Sequence, residues 1–137
     1  MLELMTWSEI VDNLRTEGNL SMAAIFDLDG EKMAATQGIT ISKSEVQSLL
    51  NSLQIPCTNI YSLYIGGSTV KCMRLDDRTL IGRAPNEVFV AHRSNDVLIC
   101  AYTPIGNDSS CLGSVKTFAL KLNMQAIPGA VATPSLI

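Results

Sequence analysis

The sequence predicts an α+β fold in which one antiparallel β-sheet is covered by helices. Five short β-type runs follow residue 60, separated by only two to four residues, and such short connections join antiparallel neighbours. Three amphipathic helical patterns accompany them, in the order helix, two strands, helix, five strands, helix. The 137 residues are 47% apolar and 17% charged, as in a single globular domain that buries its own core.

The first helix is predicted from a capping box at Thr6 to Glu9, in which the Thr6 side chain accepts the Glu9 amide and the Glu9 carboxylate reaches back. Helical spacing follows in the apolar residues Trp7, Ile10, Val11 and Leu14. Gly18 is predicted to end this helix.

The first two strands are predicted at residues 23–27 and 32–36, with a tight turn between them in which Asp29 and Gly30 supply positive φ values. A second capping box, from Ser42 to Glu45, opens the middle helix. The apolar stripe of that helix is Val46, Leu49, Leu50 and Leu53, and Pro56 ends the region.

The later strands are predicted at residues 61–65, 69–76, 79–83, 87–93 and 97–102, with turns that include Gly66-Gly67 and Asp76-Asp77. A last helix begins near residues 109–111. Its apolar positions are Val115, Phe118, Ala119 and Leu122. We expect the first and last helices to pack on one face of the sheet and the middle helix on the other. Residues 1–125 then form one domain, and the uncharged residues 126–137 form a flexible tail.

The four cysteines give no sign of a metal site, because their spacing supplies no close ligand pair and the chain has one histidine. We expect reduced thiols, with Cys72 and Cys100 buried in strands, and no metal or other cofactor. The first ten residues carry Glu3 and Glu9 but no basic, apolar leader. No stretch is long and apolar enough for a transmembrane segment, so we expect an untargeted, cytoplasmic protein.

The charge is uneven along the chain. Residues 1–68 carry eight acidic and three basic residues, whereas residues 69–137 carry five acidic and seven basic residues. This mild imbalance argues against general nucleic-acid binding, but it allows an acidic protein partner or anionic lipid headgroups.

One enzymatic alternative begins at "IFDLDG", which matches the first motif of the haloacid dehalogenase-like phosphatases. Asp27 would then be the nucleophile and Asp29 the acid/base, beside Mg²⁺. Against this, the chain returns at once as a strand where that sheet needs a helical crossover. No Ser or Cys has a partner His within a motif. We therefore expect no catalytic residues and a protein that is not an enzyme.

Read in order, the motifs resemble the profilin family. The resemblance covers Trp7 in a first helix, "AAI" before the Asp-Gly turn, "SEVQSLL", "LYIGG", "KCMRLDDRTL" and "VLICAY", and it runs from about residue 7 to about residue 124. It implies a seven-stranded antiparallel sheet with terminal helices on one side and a short helical layer on the other.

The resemblance implies two binding sites. The first is a groove between the terminal helices that binds proline-rich segments, for example those of formins, by aromatic stacking. Its positions in this chain are Trp7, Ile10, Met33, Lys121 and Leu122. Because Trp7 is the one aromatic residue among them, we expect proline-rich binding to be weak or altered.

The second implied site binds monomeric actin through the later strands and the start of the last helix. Its positions here are Lys71, Arg74, Arg83, His92, Arg93, Leu112 and Lys116. The family would sequester actin monomers, or deliver them to filament ends, and favour nucleotide exchange. The resemblance therefore implies a monomeric protein of the cytoplasm and cytoskeleton that regulates actin polymerisation.

An alternative within the same family remains open. Arg74, Arg78, Arg83 and Arg93 could instead bind anionic phosphoinositides, in a divergent profilin-like module without strong actin binding.

Overall fold

The computed structural model describes residues 6–54, 62–75 and 78–124. The helices are α1 (Trp7–Gly18), α2 (Lys43–Gln54) and α3 (Asp108–Met124). The strands are β1 (Met22–Asp27), β2 (Lys32–Ala35), β3 (Ser62–Ile65), β4 (Ser68–Leu75), β5 (Thr79–Arg83), β6 (Glu87–Arg93) and β7 (Val97–Pro104). The predicted α+β class and the predicted order of elements are both confirmed.

All seven strands form one antiparallel sheet in the order β2-β1-β7-β6-β5-β4-β3. Strands β3 to β7 follow one another as a meander of hairpins. The early hairpin of β1 and β2 is added to the far side of the meander, since β1 pairs with β7 over its whole length.

Two apolar cores lie on opposite faces of the sheet, because successive strand residues point to alternate faces. On the first face, which we call the terminal-helix face, α1 and α3 pack over residues such as Ile25, Val90 and Ile99. On the second, the α2 face, Leu49 and the rest of the α2 stripe pack over residues such as Phe89. The predicted placement of the three helices is therefore confirmed.

The N-terminus of α1 is held by the predicted capping box. The Thr6 hydroxyl accepts the Glu9 amide at 3.1 Å, and Glu9 Oε1 accepts the Thr6 amide at 2.8 Å. The predicted end at Gly18 is confirmed, since Gly18 is the last helical residue, but the left-handed cap conformation is taken by Asn19, with φ of 53°. A Cβ at Gly18 would lie 3.2 Å from Ser114 Cβ, so this glycine allows close packing of α1 on α3.

The predicted capping box of α2 is also present, and its glutamate has a second role. Glu45 Oε1 accepts the Ser42 amide at 2.9 Å and the Gly66 amide at 3.2 Å. Gly66 and Gly67 form the two-residue turn between β3 and β4, both with positive φ as a type I′ turn requires. Glu45 therefore ties the β3–β4 hairpin to the start of α2.

The turn between β1 and β2 differs in detail from the predicted one. Gly30 has a positive φ of 96°, but Asp29 does not. Asp27 Oδ1 accepts the amides of Asp29 and Glu31, each at 2.9 Å, while the Gly30 amide bonds back to the Asp27 carbonyl at 3.1 Å. A side-chain bridge from Asp27 thus replaces the second left-handed residue, as short polar side chains do in turns.

The strand ends agree with the predictions to within one or two residues. Strand β7 continues to Pro104, and β4 begins at Ser68. Cys72 and Cys100 are buried, free thiols as predicted, and so is Cys111. The predictions for Pro56, for the Asp76-Asp77 turn and for the tail at residues 126–137 lie outside the described residues.

Candidate functional site

The terminal-helix face is covered over only part of its width. The main sheet contacts of α1 and α3 are with β1, β2, β6 and β7. On the same face, Ile81 of β5 is still buried in the terminal-helix core, whereas the Arg83 end of β5 and the described residues of β3 and β4 are exposed. Five side chains of these strands are exposed on that face: Ser62, Tyr64, Thr69, Lys71 and Arg83. We call this surface the open face.

Lys71 and Arg83 stand directly opposite each other on β4 and β5. Both side chains are exposed, and no carboxylate of the described residues forms an ion pair with either. Like charges at directly opposed positions of an antiparallel pair lower the stability of the sheet. Among the described residues, the open face therefore carries positive charge with no paired carboxylate, and an acidic partner would neutralise it.

A bulge in β4 brings a third predicted position into the same row. Simple alternation from Cys72 would put residue 74 on the α2 face, but the register shifts between the two. Arg74 is consequently opposite Ile81 on β5, in line with Lys71 and Arg83.

Two exposed apolar side chains that the sequence analysis had not identified lie on β3 and β4. Tyr64 is 63% exposed and Met73 is 61% exposed. Tyr64 lies on the open face, and Met73 is the bulge residue of β4. Alternation within "SLYI" could have revealed Tyr64, since Leu63 and Ile65 pack into the other core. The open face thus combines apolar and cationic groups, as protein-binding surfaces do.

His92 marks the border between the open face and the helical layer. It is half-buried on β6, and its Nδ1 lies 2.9 Å from the Thr79 hydroxyl oxygen. The two residues are register partners, and Thr79 alternates with Ile81 of the terminal-helix core. His92 is therefore on the same face of the sheet as Lys71 and Arg83, with its ring held by a hydrogen bond to Thr79.

Arg93 lies on the opposite face from these residues. It pairs with Leu98, which belongs to the α2-face core, and it follows His92 by one residue. Its Nε is buried and has no hydrogen-bond partner among the described residues. Arg78 lies beside it and donates from Nη1 to the Arg93 carbonyl at 3.3 Å. Arg93 therefore does not belong to the open face.

The flank of α3 that is turned away from α1 continues the open face. Ser114 contacts Gly18 of α1, whereas Leu112 and Lys116 lie on the other side of the helix by the 3.6-residue period. Lys116 is exposed, and Leu112 is half-buried against the terminal-helix core. Both predicted positions are thus on the side of α3 that borders the sheet.

The second predicted site lies where α1 meets α3 and β2. Trp7 and Met33 are half-buried against the terminal-helix core, and Ile10 is 6% exposed within it. Lys121 and Leu122 fall in the last turns of α3, and their side chains are outside the described part of the structure. The structure therefore brings Trp7, Ile10 and Met33 to one region, with a single aromatic ring among them.

The carboxylates of the Asp-Gly turn are engaged in holding the hairpin. The amides of Asp29 and Glu31 occupy Asp27 Oδ1, and Glu31 pairs with Lys43 at 2.6 Å. That pairing raises the pKa of Lys43. Within the described ranges, no three His, Cys, Asp or Glu residues are placed to hold a metal ion. Nothing in this geometry favours the phosphatase alternative.

A small polar cavity of about 170 Å³ lies on the α2 side, near Thr40, Gly66, Glu87 and Tyr102. Burial raises the pKa of Tyr102, and the nearby Cys100 and Glu87 add to the effect. Burial also raises the pKa of the Cys100 thiol, which makes it a poor nucleophile. Tyr102, which lines the cavity, and the buried Cys100 therefore have the character of core residues rather than of reactive groups.

Comparison with known proteins places these features in context. A family model described as Profilin matches residues 5–127. The profilin of Saccharomyces cerevisiae (strain S288c) is 28% identical over 102 residues, which cover 73% of this chain and 81% of the yeast protein. Of the described helices, none is long and apolar enough to cross a membrane.

Solved structures of low identity share the fold. Profilin IB of Acanthamoeba castellanii has a TM-score of 0.75 at 18% identity, over 85% of this chain and 96% of that one. LokiProfilin1, solved in complex with rabbit actin, has a TM-score of 0.70 at 21% identity, over 88% of this chain and 97% of that one.

Proposed function

Since the chain belongs to the profilin family, we propose that it binds monomeric actin and so regulates actin polymerisation. The contact surface is the open face together with the Leu112 and Lys116 flank of α3. The protein acts by binding and not as an enzyme, in the cytoplasm and at the cytoskeleton.

The observation that carries this proposal is the Lys71–Arg83 pair, two like charges that oppose each other without a described carboxylate partner. Such an arrangement costs folding stability, and an acidic protein surface would remove that cost on binding. The exposed ring of Tyr64 supplies the apolar contact that a packed interface needs. The actin complex of LokiProfilin1, a protein of the same fold, adds independent support.

The proposal is tested by titrating the protein into pyrene-labelled actin monomers. Wild-type protein is expected to slow spontaneous assembly, and the double variant Lys71→Glu/Arg83→Glu is expected to lose this effect. Lys32→Glu is the matched control, because Lys32 is an exposed strand cation on β2, far from the open face in the strand order. An unchanged assembly curve with folded wild-type protein would refute actin binding. Equal effects of wild type and double variant would refute the assigned surface.

Arg93→Glu tests whether actin binds the open face alone or all of the cations that the sequence analysis assigned to the actin site. Because Arg93 lies on the α2 face, its reversal is expected to leave actin assembly inhibited as in wild type. A loss as large as that of the double variant would place the contact on the other face of the sheet.

We further propose that proline-rich segments, including those of formins, bind weakly over Trp7. Ile10 is buried and Met33 is aliphatic, so the region offers one flat ring where stacking favours several. Titration of a ten-residue oligoproline peptide, followed by Trp7 fluorescence, measures this binding directly. Saturation at micromolar peptide would contradict the expected weakness.

A phosphoinositide site is the second candidate, because Arg78 and Arg93 lie side by side and the Arg93 Nε is buried without a described partner. Co-sedimentation with vesicles containing phosphatidylinositol bisphosphate tests it, with Arg78→Glu/Arg93→Glu as the variant. Lipid binding through these charges is expected to fall steeply between low and high salt. Vesicle binding that survives the double variant would exclude this pair.

A further inference from the structure

The two terminal helices run antiparallel, and their contacts define which residues lie side by side. Gly18 lies against Ser114, and Leu14 and Phe118 line the same groove four residues along. Each step back along α1 therefore matches one step forward along α3. By this count Trp7 lies at the level of the last turn of α3, which is described as far as Met124.

The line of contact between the helices, which we call the helix seam, is open on its outer side. A groove of about 420 Å³ lies along the part of the seam between Gly18 and Leu14, within the size range of ligand pockets, and Trp7 lies beyond its end. Its α3 wall consists of small and medium residues: Ser110, Gly113, Ser114 and Thr117. A Cβ at Gly113 would meet no atom within 4 Å, so the groove has free space. Trp7 lies on the same stripe of α1 as Leu14 and Gly18, at spacings of seven and eleven residues.

The chain that follows α3 has the composition to fill such a groove. Residues 126–137 contain no charged residue and two prolines, Pro128 and Pro134. Proline-containing chains favour the extended polyproline II form, which docks on aromatic-lined grooves. Ten residues in that form span about 31 Å, whereas α3 from Met124 back to Gly113 is about 17 Å long. The segment can therefore cover the whole seam.

From this arrangement we propose that residues 128–137 fold back onto the helix seam and cover Trp7, as an internal occupant of the groove. The segment is tethered to the last turn of α3, which lies beside Trp7, so its effective concentration at the seam is on the order of 1 mM. An external proline-rich ligand must displace it. The tail then regulates the groove proposed above, and the inference rests on that groove but not on actin binding.

The single tryptophan of the chain makes the test direct, because all tryptophan emission comes from Trp7. Three proteins are compared: the full chain, a chain that ends at Ile127, and the full chain with Pro128→Ser/Pro134→Ser. Acrylamide quenching measures the accessibility of Trp7, and far-UV circular dichroism with urea unfolding confirms that all three are folded. A synthetic peptide of residues 126–137 is then added to the shortened chain at millimolar concentration.

The shortened chain is expected to show a red-shifted emission and stronger quenching, and the added peptide is expected to reverse both. If the tail's dissociation constant is close to its effective concentration, about half of the molecules are docked, and affinity for an oligoproline peptide rises about twofold on shortening. The double serine variant is expected to resemble the shortened chain.

Identical quenching of the full and shortened chains, both folded, would overturn the proposal. A double serine variant that matches the full chain would overturn the part assigned to the prolines. If shortening exposes Trp7 but no oligoproline peptide binds, the tail docks while the proposed external ligand is wrong, so the two failures are distinguishable. Actin binding, which uses the open face, is expected to be the same in all three proteins.

Discussion

The opposed cations of the open face lead to a prediction in which stability and binding change in opposite directions. Arg83→Glu replaces a like-charge pair with Lys71 by an attractive one. We therefore expect this variant to be more stable than wild type while it binds actin less well. A substitution that merely disturbs the fold would lower both.

The size of the stability change follows from the geometry. Directly opposed Cβ atoms lie about 5 Å apart, and long side chains separate their charged ends to about 7 Å. Two unit charges at that distance in water repel by about 0.6 kcal/mol. Reversing one sign changes the interaction by about 1.2 kcal/mol, and 0.1 M salt leaves about half of this. The expected gain for Arg83→Glu is thus about 0.6 kcal/mol.

The assay is urea unfolding of four proteins: wild type, Lys71→Glu, Arg83→Glu and the double variant. Each single variant is expected to be stabilised, whereas the double variant again opposes two like charges and returns to the wild-type value. Repeating the cycle in 1 M NaCl, where the screening length is about 3 Å, is expected to remove the differences. The double variant is then a folded, equally stable protein for the actin experiment.

Additive effects of the two substitutions would refute the reasoning, because independent residues add and interacting residues do not. So would a destabilised Arg83→Glu at low salt. In either case the Lys71 and Arg83 side chains do not interact as their register implies, and the open face loses its electrostatic argument.

Three further predictions concern the fold. Gly82→Ala is expected to destabilise the protein by about 1–3 kcal/mol, because the added Cβ would overlap Val70 on the adjacent strand. Gly113→Ala is expected to stabilise the protein by about 0.5–1 kcal/mol, because Gly113 lies in a helix where an added Cβ meets no atom. Urea unfolding measures both changes, and equal effects would contradict the packing described. Thr6→Ala is expected to cost about 1 kcal/mol through loss of the helix cap, and Thr6→Ser much less, by thermal unfolding. Burial raises the pKa of Tyr102 above its ordinary 10, so unfolding releases a proton at alkaline pH. The free energy of unfolding is therefore expected to fall as pH rises above 10. In Tyr102→Phe it is expected to fall less steeply.

Local sequence signals were sufficient for most of the fold. Both capping boxes form as predicted, because the Thr6 and Ser42 side chains bond to amides three residues away. The Gly66-Gly67 turn could also be predicted locally, since two successive glycines adopt positive φ values without strain.

The sequence was silent where tertiary contacts decide the local geometry. Gly18 ends α1 as predicted, but it also lets α1 approach Ser114 of α3, a contact 96 residues away that no local pattern shows. The bulge in β4 is likewise a property of the pairing with β5, and it determines the face on which Arg74 falls. Arg93 was grouped with the other cations because charge is visible in the sequence; its register places it on the other face, and its role in binding stays a prediction.

The strand order has a consequence for how the protein is made. Strand β1 enters the sheet only through β2 and β7, so the first hairpin lacks its main partner until residue 104 has been synthesised. At translation rates of about 5–20 residues per second, that wait after β2 lasts roughly 3–14 s. The β3–β7 meander pairs only sequence neighbours and can form as it emerges from the ribosome. The N-terminal residues are therefore made first and incorporated last, and until then the apolar residues of β1 lack the strand that covers them in the folded sheet.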